Sequence, residues 1–328
     1  MPELDLRLDR ERLDRVRHGA TVVSTTPTVV RVSGPGALTC LQGLLTNDLE
    51  KPGEGSLVYG ALLTPKGMIV ADAWVLRQGD TFTLIIPACG HPAVVDIFTR
   101  TLPPRLARAT DLTGQATVAW LIGAQGFHAL AKSGVGTPES AGRVASIGGD
   151  LSPVALALAP EAAPFAALAV GLTPAVEPVV ARLVAAGAVP GDETDFHILR
   201  VLCGWPALGV EIDERTLPQE VRYDEIGGVS YTKGCYTGQE TVARVHFRGH
   251  TNRELRGLRW RDAEPIDGRS VRYGEKEVGS VRSTLAVEDR MLGLGVLRRE
   301  VEPGQAVVAG GRRATVVALP FGADEVDG

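Results

Sequence analysis

The chain has 328 residues, 44% of them hydrophobic and 22% charged, an ordinary globular balance with length for two or three domains. Its formal net charge of −5 argues against non-specific phosphate binding by the whole molecule. The opening Met1-Pro2-Glu3-Leu4-Asp5 has no basic start and no apolar stretch, and apolar runs elsewhere are broken before bilayer-spanning length. A soluble, cytoplasmic chain with no membrane partner is therefore expected.

Residues 4–17 mix Leu and Val with alternating charge and predict a surface helix. A strand over 28–32 and a Ser-Gly-Pro-Gly turn lead to a short helix over 37–45, where Leu38, Leu41, Leu44 and Leu45 recur at helical spacing. Strands are predicted at 57–63, 68–77 and 81–87, the last two joined by a hairpin turn at Gly79-Asp80. An amphipathic helix over 91–101, a strand over 115–122 and a helix over 125–132 follow. Residues 134–150 are rich in Gly, Ser and Pro and read as a loop. Paired strands at 154–159 and 166–171 precede helices at 174–186 and 195–202. Pro174 suits the start of the first, and Asp192 or Thr194 can cap the second. This order is α+β, with no sequence repeat.

From about Glu254 the texture changes to short alternating strands with Gly turns, at 256–260, 270–273, 277–283, 290–297, 305–309 and 313–318. Their even spacing predicts a small C-terminal β-barrel. The expected division is 1–250, two interleaved α+β subdomains with the second at roughly 50–110, and 251–328, the barrel; the boundary falls near Gly249 to Arg253.

Four cysteines, Cys40, Cys89, Cys203 and Cys235, are widely spaced. They form no zinc or four-cysteine iron–sulfur motif, and disulfides are not expected in a reducing compartment. The histidines have no HExxH-like spacing, so no metal site is expected. One segment stands out: Tyr231-Thr-Lys-Gly-Cys-Tyr-Thr-Gly-Gln-Glu240. A turn at Lys233-Gly234 leads to Cys235, and a helix is predicted from about Gly238 to Val245. Cys235 thus stands near a helix N-terminus with a Lys two residues upstream, and both favour a thiolate. Such a thiol is either a nucleophile or soft-metal ligand, or a small buried hydrophobe.

The run KGCYTGQE, with Arg244 following, resembles the signature of the YgfZ family. The resemblance extends over nearly the whole chain: Leu41-Gln42-Gly43-Leu44-Leu45-Thr46-Asn47-Asp48; Leu62-Leu63-Thr64-Pro65-Lys66-Gly67 with Asp72; Ile198-Leu199-Arg200, Gly204-Trp205-Pro206, Gly209-Val210-Glu211 and Pro218-Gln219-Glu220; and Val278 to Ser283. It implies a three-domain aminomethyltransferase-like fold around a central channel holding tetrahydrofolate or a one-carbon derivative. It also implies a supporting role in assembly or repair of iron–sulfur enzymes, among them enzymes that modify tRNA. The partners would be folate and iron–sulfur client or assembly proteins, without direct nucleic-acid binding, since no RNA-binding motif is visible.

Two departures separate the chain from the aminomethyltransferases that it also resembles. They lack the Cys at the Lys-Gly segment, and where they have an Asp pair near the folate this chain has Ala71-Asp72. A single Asp can still orient a pterin amine or take a proton. The alternative function is a folate-dependent aminomethyltransferase or demethylase, and a third is a scaffold in which folate is structural.

By this resemblance Cys235 and Asp72 are the catalytic candidates. Glu211 is the candidate pterin grip, because a carboxylate can bind the donor edge of the ring with two hydrogen bonds; the alternative is a solvated turn acid beside Asp213 and Glu214. Arg200 is expected to meet the folate tail or an inner carboxylate. Gln42, Asn47 and Asp48 line the channel mouth or cap a helix end. Tyr236 and Gln239 flank the Cys, Tyr236 as a pocket wall, and Lys233 is read as exposed, acting on the thiol indirectly. Trp74 and Trp205 stack a pterin or pack the core. Arg244, His246, Arg248, His250, Arg253, Arg256 and Arg259 form a basic stretch read as a solvated face, with attraction of a polyglutamate tail or an acidic partner as the alternative.

Overall fold

A computed structural model describes residues 4–148 and 153–327 of the chain. It begins with β1 (Leu4–Leu8), α1 (Arg10–His18), β2 (Thr21–Thr25), β3 (Thr28–Ser33), α2 (Ala37–Gln42), β4 (Ser56–Leu63), β5 (Ile69–Gln78), β6 (Thr81–Ile86), α3 (His91–Thr101) and β7 (Arg108–Asp111). The middle contains β8 (Ala116–Ile122), α4 (Gly126–Lys132), β9 (Val144–Ile147), β10 (Val154–Leu158), β11 (Ala167–Leu172), α5 (Thr173–Ala185), β12 (Val189–Gly191) and α6 (Glu193–Leu202). After α7 (Gln239–Arg248) come β13 (Arg253–Trp260), β14 (Ser270–Tyr273), β15 (Lys276–Val287), β16 (Arg290–Arg298), β17 (Ala306–Ala309), β18 (Arg312–Val317) and α8 (Ala323–Asp327).

The strands form three sheets. The first has the order β4-β5-β6-β3-β7 and the second β12-β2-β8-β11-β10-β9. They touch at their edges: Ser56 bridges Arg143, Leu57 N–H donates to Gly142 O at 2.8 Å, and Val144 N–H donates to Gly55 O at 2.8 Å. The third runs β15-β14-β17-β18-β13-β16, and β16 pairs back onto β15, closing a six-stranded barrel. Closure removes the free edges that such short strands would otherwise expose.

The predicted helix over 4–17 is a strand followed by a helix. Leu4, Leu6 and Leu8 face inward at period two, and β1 pairs in parallel with the end of β15 from Leu4↔Ser283 to Leu8↔Val287. Asp9 then starts α1, its side chain accepting from Arg12 N–H at 2.8 Å. A strand partner 279 residues away is invisible to local periodicity. The loop expected over 134–150 contains β9, which pairs with β10; residues 149 and 150 lie outside the described residues. The helix expected over 37–45 ends at Gln42, and three strands, β2, β7 and β12, fall in segments where local pattern predicts none.

Helices α2 and α3 cover the outer face of the first sheet, and α4 and α5 that of the second, each with its own apolar core. A fourth set of apolar residues fills the barrel. The largest cluster lies between the sheets: it joins Tyr59 and Trp74 of the first, Val118 and Trp120 of the second, Ile198 and Val201 of α6, and Leu285 and Leu294 of the barrel. All eight residues of β4 are buried, because apolar layers cover both its faces. Among the described residues no helix is long and apolar enough to cross a membrane.

Candidate functional site

The site begins with two segments about 190 positions apart. The turn after α2 presents its backbone carbonyls to the stretch 227–237, which is laid along it. Ser230 N–H donates to Thr46 O and Thr237 N–H to Gly43 O, both at 3.0 Å. Side chains reinforce the seam: Thr46 Oγ1 donates to Gly228 O at 2.6 Å, Asn47 Nδ2 to Gly227 O at 2.7 Å, and Lys51 Nζ to Thr232 Oγ1 at 2.9 Å.

Lys233 occupies the centre of the seam. Its Nζ donates to Gln42 O, Leu45 O and Asn47 O at 2.9, 2.7 and 2.8 Å. It is 9% exposed and lies 5.1 Å from the centroid of the Tyr236 ring. Burial pushes its pKa down to about 8, with Asp48 acting in the opposite sense. The expectation of an exposed lysine acting on the thiol is therefore corrected: its three donors are taken up by carbonyls.

Cys235 is exposed on this pinned loop. It stands four residues before Gln239, the first residue of α7, whose cap is Gly238 in the left-handed conformation at φ 82°. The next ring, Tyr236, is 7% exposed and belongs to the central apolar cluster with Tyr59 and Trp205. Burial, then Asp224, raises the Tyr236 phenol to about 12. Gln239 Oε1 accepts from Tyr236 N–H at 3.3 Å. Gln42 and Asn47 brace the turn: Gln42 Nε2 donates to Asp48 Oδ1 and its Oε1 accepts from Leu49 N–H, both at 2.9 Å, while Asn47 Nδ2 also reaches Tyr59 O at 2.8 Å.

That last contact leads inward. Tyr59 Oη donates to Asp72 Oδ2 at 2.9 Å and lies 3.1 Å from Tyr223 Oη. Asp72 is 6% exposed, and its Oδ1 is buried without a hydrogen-bond partner. Desolvation raises its pKa to about 6, against lowering by the Tyr59 hydrogen bond, its own backbone N–H and the charge of Arg200. Aromatic rings wall the group: Trp205 lies 4.7 Å from Tyr59 and stacks on Trp74 at 5.4 Å, with Phe165 edge-on to Trp74 at 5.0 Å. Trp74 and Trp205 pack the core against each other, leaving no gap between them for a pterin.

Glu211 and Arg200 form a closed buried cluster. Arg200 Nη1 meets Glu211 Oε2 at 3.0 Å, the same oxygen accepts from Ala207 N–H at 2.9 Å, and Ser283 Oγ of β15 donates to Oε1. Arg200 also donates to Trp205 O at 3.2 Å, Ser283 Oγ at 3.3 Å and His197 Nδ1 at 3.0 Å. Burial, then the Arg200 charge, lowers the pKa of His197 to about 4, keeping its ring neutral. Glu211 is 0% exposed with both oxygens engaged, so it is neither a solvated turn acid nor a free pterin grip.

Relatives support this architecture. Residues 9–137 match the GCVT N-terminal domain family. An aminomethyltransferase of Rubrobacter xylanophilus is 28% identical over 311 residues, 89% of this chain and 80% of that protein. The tRNA-modifying protein YgfZ of Edwardsiella ictaluri is 29% identical over 231 residues, 70% of this chain and 68% of that protein. The YgfZ of Escherichia coli is 33% identical over 111 residues, a match covering 34% of its length. The crystal structure of aminomethyltransferase T from Bartonella henselae superposes with a TM-score of 0.80 over 95% of this chain and 89% of that one, at 18% identity. The chain is similar both to aminomethyltransferases and to YgfZ proteins.

The matched domain region contains Asp72 and the turn 42–48, whereas Lys233 to Gln239 lie beyond it. Sequence reasoning missed Tyr59, Tyr223 and Ser283, which surround the buried acids. Tyr59 is one aromatic in an apolar strand and carries no motif. Tyr223 follows Arg222, a non-glycine residue at φ 68° whose guanidinium donates to Cys203 O and Gly204 O at 2.9 Å. Sequence composition gives no sign of such a conformation. In the basic stretch, Arg253 pairs with Glu220 at 2.9 Å, His246 meets Asp224 at 3.3 Å, and Arg244, Arg248 and His250 are exposed.

Proposed function

We propose that this chain binds a reduced folate beside Asp72 and presents Cys235 on the adjoining loop to support assembly or repair of iron–sulfur enzymes, with any effect on tRNA modification indirect. The observation that carries the folate reading is the unpartnered Asp72 Oδ1, buried beside a phenol pair and aromatic walls. A buried carboxylate oxygen without a donor is costly, and an N–H on a bound heterocycle supplies the missing one. Tetrahydrofolate has such ring donors, so its donor chemistry suits this oxygen. Glu211 fits less well, because its carboxylate is already satisfied, and in this reading it is a structural residue that steadies the wall. When bound, the folate would supply one-carbon chemistry or serve as a structural ligand; Asp72 would orient it, Tyr59 would hold Asp72, and Tyr236 and Gln239 would shape the nearby wall.

The thiol half of the reading rests on Cys235 being exposed on a loop pinned on both sides. Contact with metal, sulfur or another thiol requires that exposure. The setting is cytoplasmic and the partners are proteins rather than nucleic acid. A second reading, a folate-dependent aminomethyltransferase or demethylase, is favoured by the pKa of Asp72 near 6, which suits proton transfer close to neutrality.

Calorimetric titration with tetrahydrofolate tests the first half: Asp72→Ala should weaken binding at least tenfold, and unchanged affinity removes Asp72 from the site. In a deletion strain, Cys235→Ser should fail to restore client iron–sulfur enzyme activity, and restoration to the wild-type level defeats the thiol assignment. Production of methylene-tetrahydrofolate from an amine donor by the purified protein would select the second reading.

A further inference from the structure

We infer that Lys233 is a positioning residue whose ammonium latches the Cys235 loop onto the carbonyls of the turn after α2. This inference rests on the reading that Cys235 is the functional thiol, but the latch itself stands on geometry alone. Three carbonyl oxygens converge on one nitrogen at 2.7 to 2.9 Å. An ammonium has three N–H donors at tetrahedral angles, so each oxygen receives one. The carbonyls belong to the end of α2 and the turn that follows, where the helical ladder stops and acceptors are left over. A cation is favoured there by the helix dipole as well as by the hydrogen bonds.

The latch gives a physical account of two segments that appear unrelated in sequence. Gln42 to Asp48 supplies the receptor, and Lys233 to Tyr236 supplies the bolt and the thiol. The flanking hydrogen bonds, Ser230 N–H to Thr46 O and Thr237 N–H to Gly43 O, keep the same register on either side of Lys233. The Lys233 ammonium lies over the Tyr236 ring at 5.1 Å, and both side chains are buried. Arginine cannot replace this group: a planar guanidinium has no single atom with three diverging donors. Methionine keeps most of the apolar stem and loses every donor, leaving three carbonyls unsatisfied in a buried place.

The experiment is site-resolved amide hydrogen exchange on full-length Lys233→Met, Lys233→Arg and Lys233→Ala, with β15 and β16 of the barrel as the internal reference. We expect exchange at Ser230 and Thr237 to rise at least tenfold in all three, with barrel exchange unchanged. Millimolar n-propylammonium chloride should restore slow exchange in Lys233→Ala, because it refills the cavity with an ammonium, whereas tetramethylammonium chloride at equal ionic strength should not. Wild-type protection in Lys233→Met or Lys233→Arg, an equal rise in the barrel, or equal rescue by both salts overturns the latch. Cys235→Ser separates this from the functional reading: it should keep wild-type exchange at both amides while losing client support. A functional Cys235→Ser protein defeats the thiol reading and leaves the exchange result intact.

Discussion

At the scale of single residues, Asp72 is the most unusual group in the chain. A carboxylate 6% exposed, with one oxygen bound by Tyr59 and the other unpartnered, is a cost to folding that a purely structural site would not retain. Its pKa of about 6 in the folded protein lies above the ordinary aspartate value of about 3.9, so the native state keeps a proton that the unfolded chain releases. This contribution to stability is full below about pH 4, is lost as pH rises through 6, and amounts to about 3 kcal/mol. Asp72→Asn retains the shape and removes the charge. It should raise Tm by a few degrees at pH 7.5 and leave it unchanged at pH 4, as read by calorimetry in matched buffers, while weakening folate binding. A fall in Tm at pH 7.5 would show that the charged form is stabilised by its surroundings. The motif around Asp72 was legible in sequence. Its protonation behaviour was not, because that depends on Tyr59, Tyr223 and the rings that exclude water.

At the scale of elements, α7 and the hairpin tip between β4 and β5 meet through two glycines. A Cβ on Gly238 would sit 2.6 Å from Thr64 O, and one on Gly67 would sit 2.8 Å from Thr241 Cβ. Gly53 has nearly the same φ, 79° against 82°, but nothing lies within 4 Å of its Cβ position. Gly53→Ala should therefore cost only the left-handed penalty of about 1–2 kcal/mol. Gly238→Ala should cost at least 2 kcal/mol more, since backbone has to move, and it should loosen the Cys235 loop as well. Equal unfolding midpoints for the two variants in urea would refute the close approach. Most elements of this region were legible from periodicity and turn residues: β4 to β6, their hairpin at Gly79, and α3. The exceptions are mostly of one kind. β1, β2, β7 and β12 are short and owe their strand state to partners distant in sequence, such as Ser283 for Leu4, Ile122 for Thr21 and Thr21 for Val189; β9 instead pairs with the neighbouring β10.

At the scale of the whole molecule, three sheets are held around one aromatic centre, and the Arg200–Glu211–Ser283 cluster fastens α6 and the 203–217 segment to the barrel. Removing one charge leaves its partner buried and unpaired, at about 3–5 kcal/mol. Glu211→Leu and Arg200→Met should each destabilise by that order. The double variant should be more stable than either single one, because no buried charge remains. Additive losses in a denaturant-monitored cycle would show that the two side chains act independently.

The sequence by itself determined the α+β order, the C-terminal run of barrel strands, and the segments 41–48 and 231–240 as the places to look. These are carried by local periodicity, turn residues and contiguous motifs, which act over a few positions along the chain. Tertiary structure decided the rest. It placed β1 on the barrel, turned Glu211 and Arg200 into an internal pair, put Trp74 against Trp205, and made Lys233 an anchor rather than a surface charge. Each outcome depends on what a side chain meets across the fold: burial and hydrogen-bond completion are properties of surroundings that no local stretch of sequence contains.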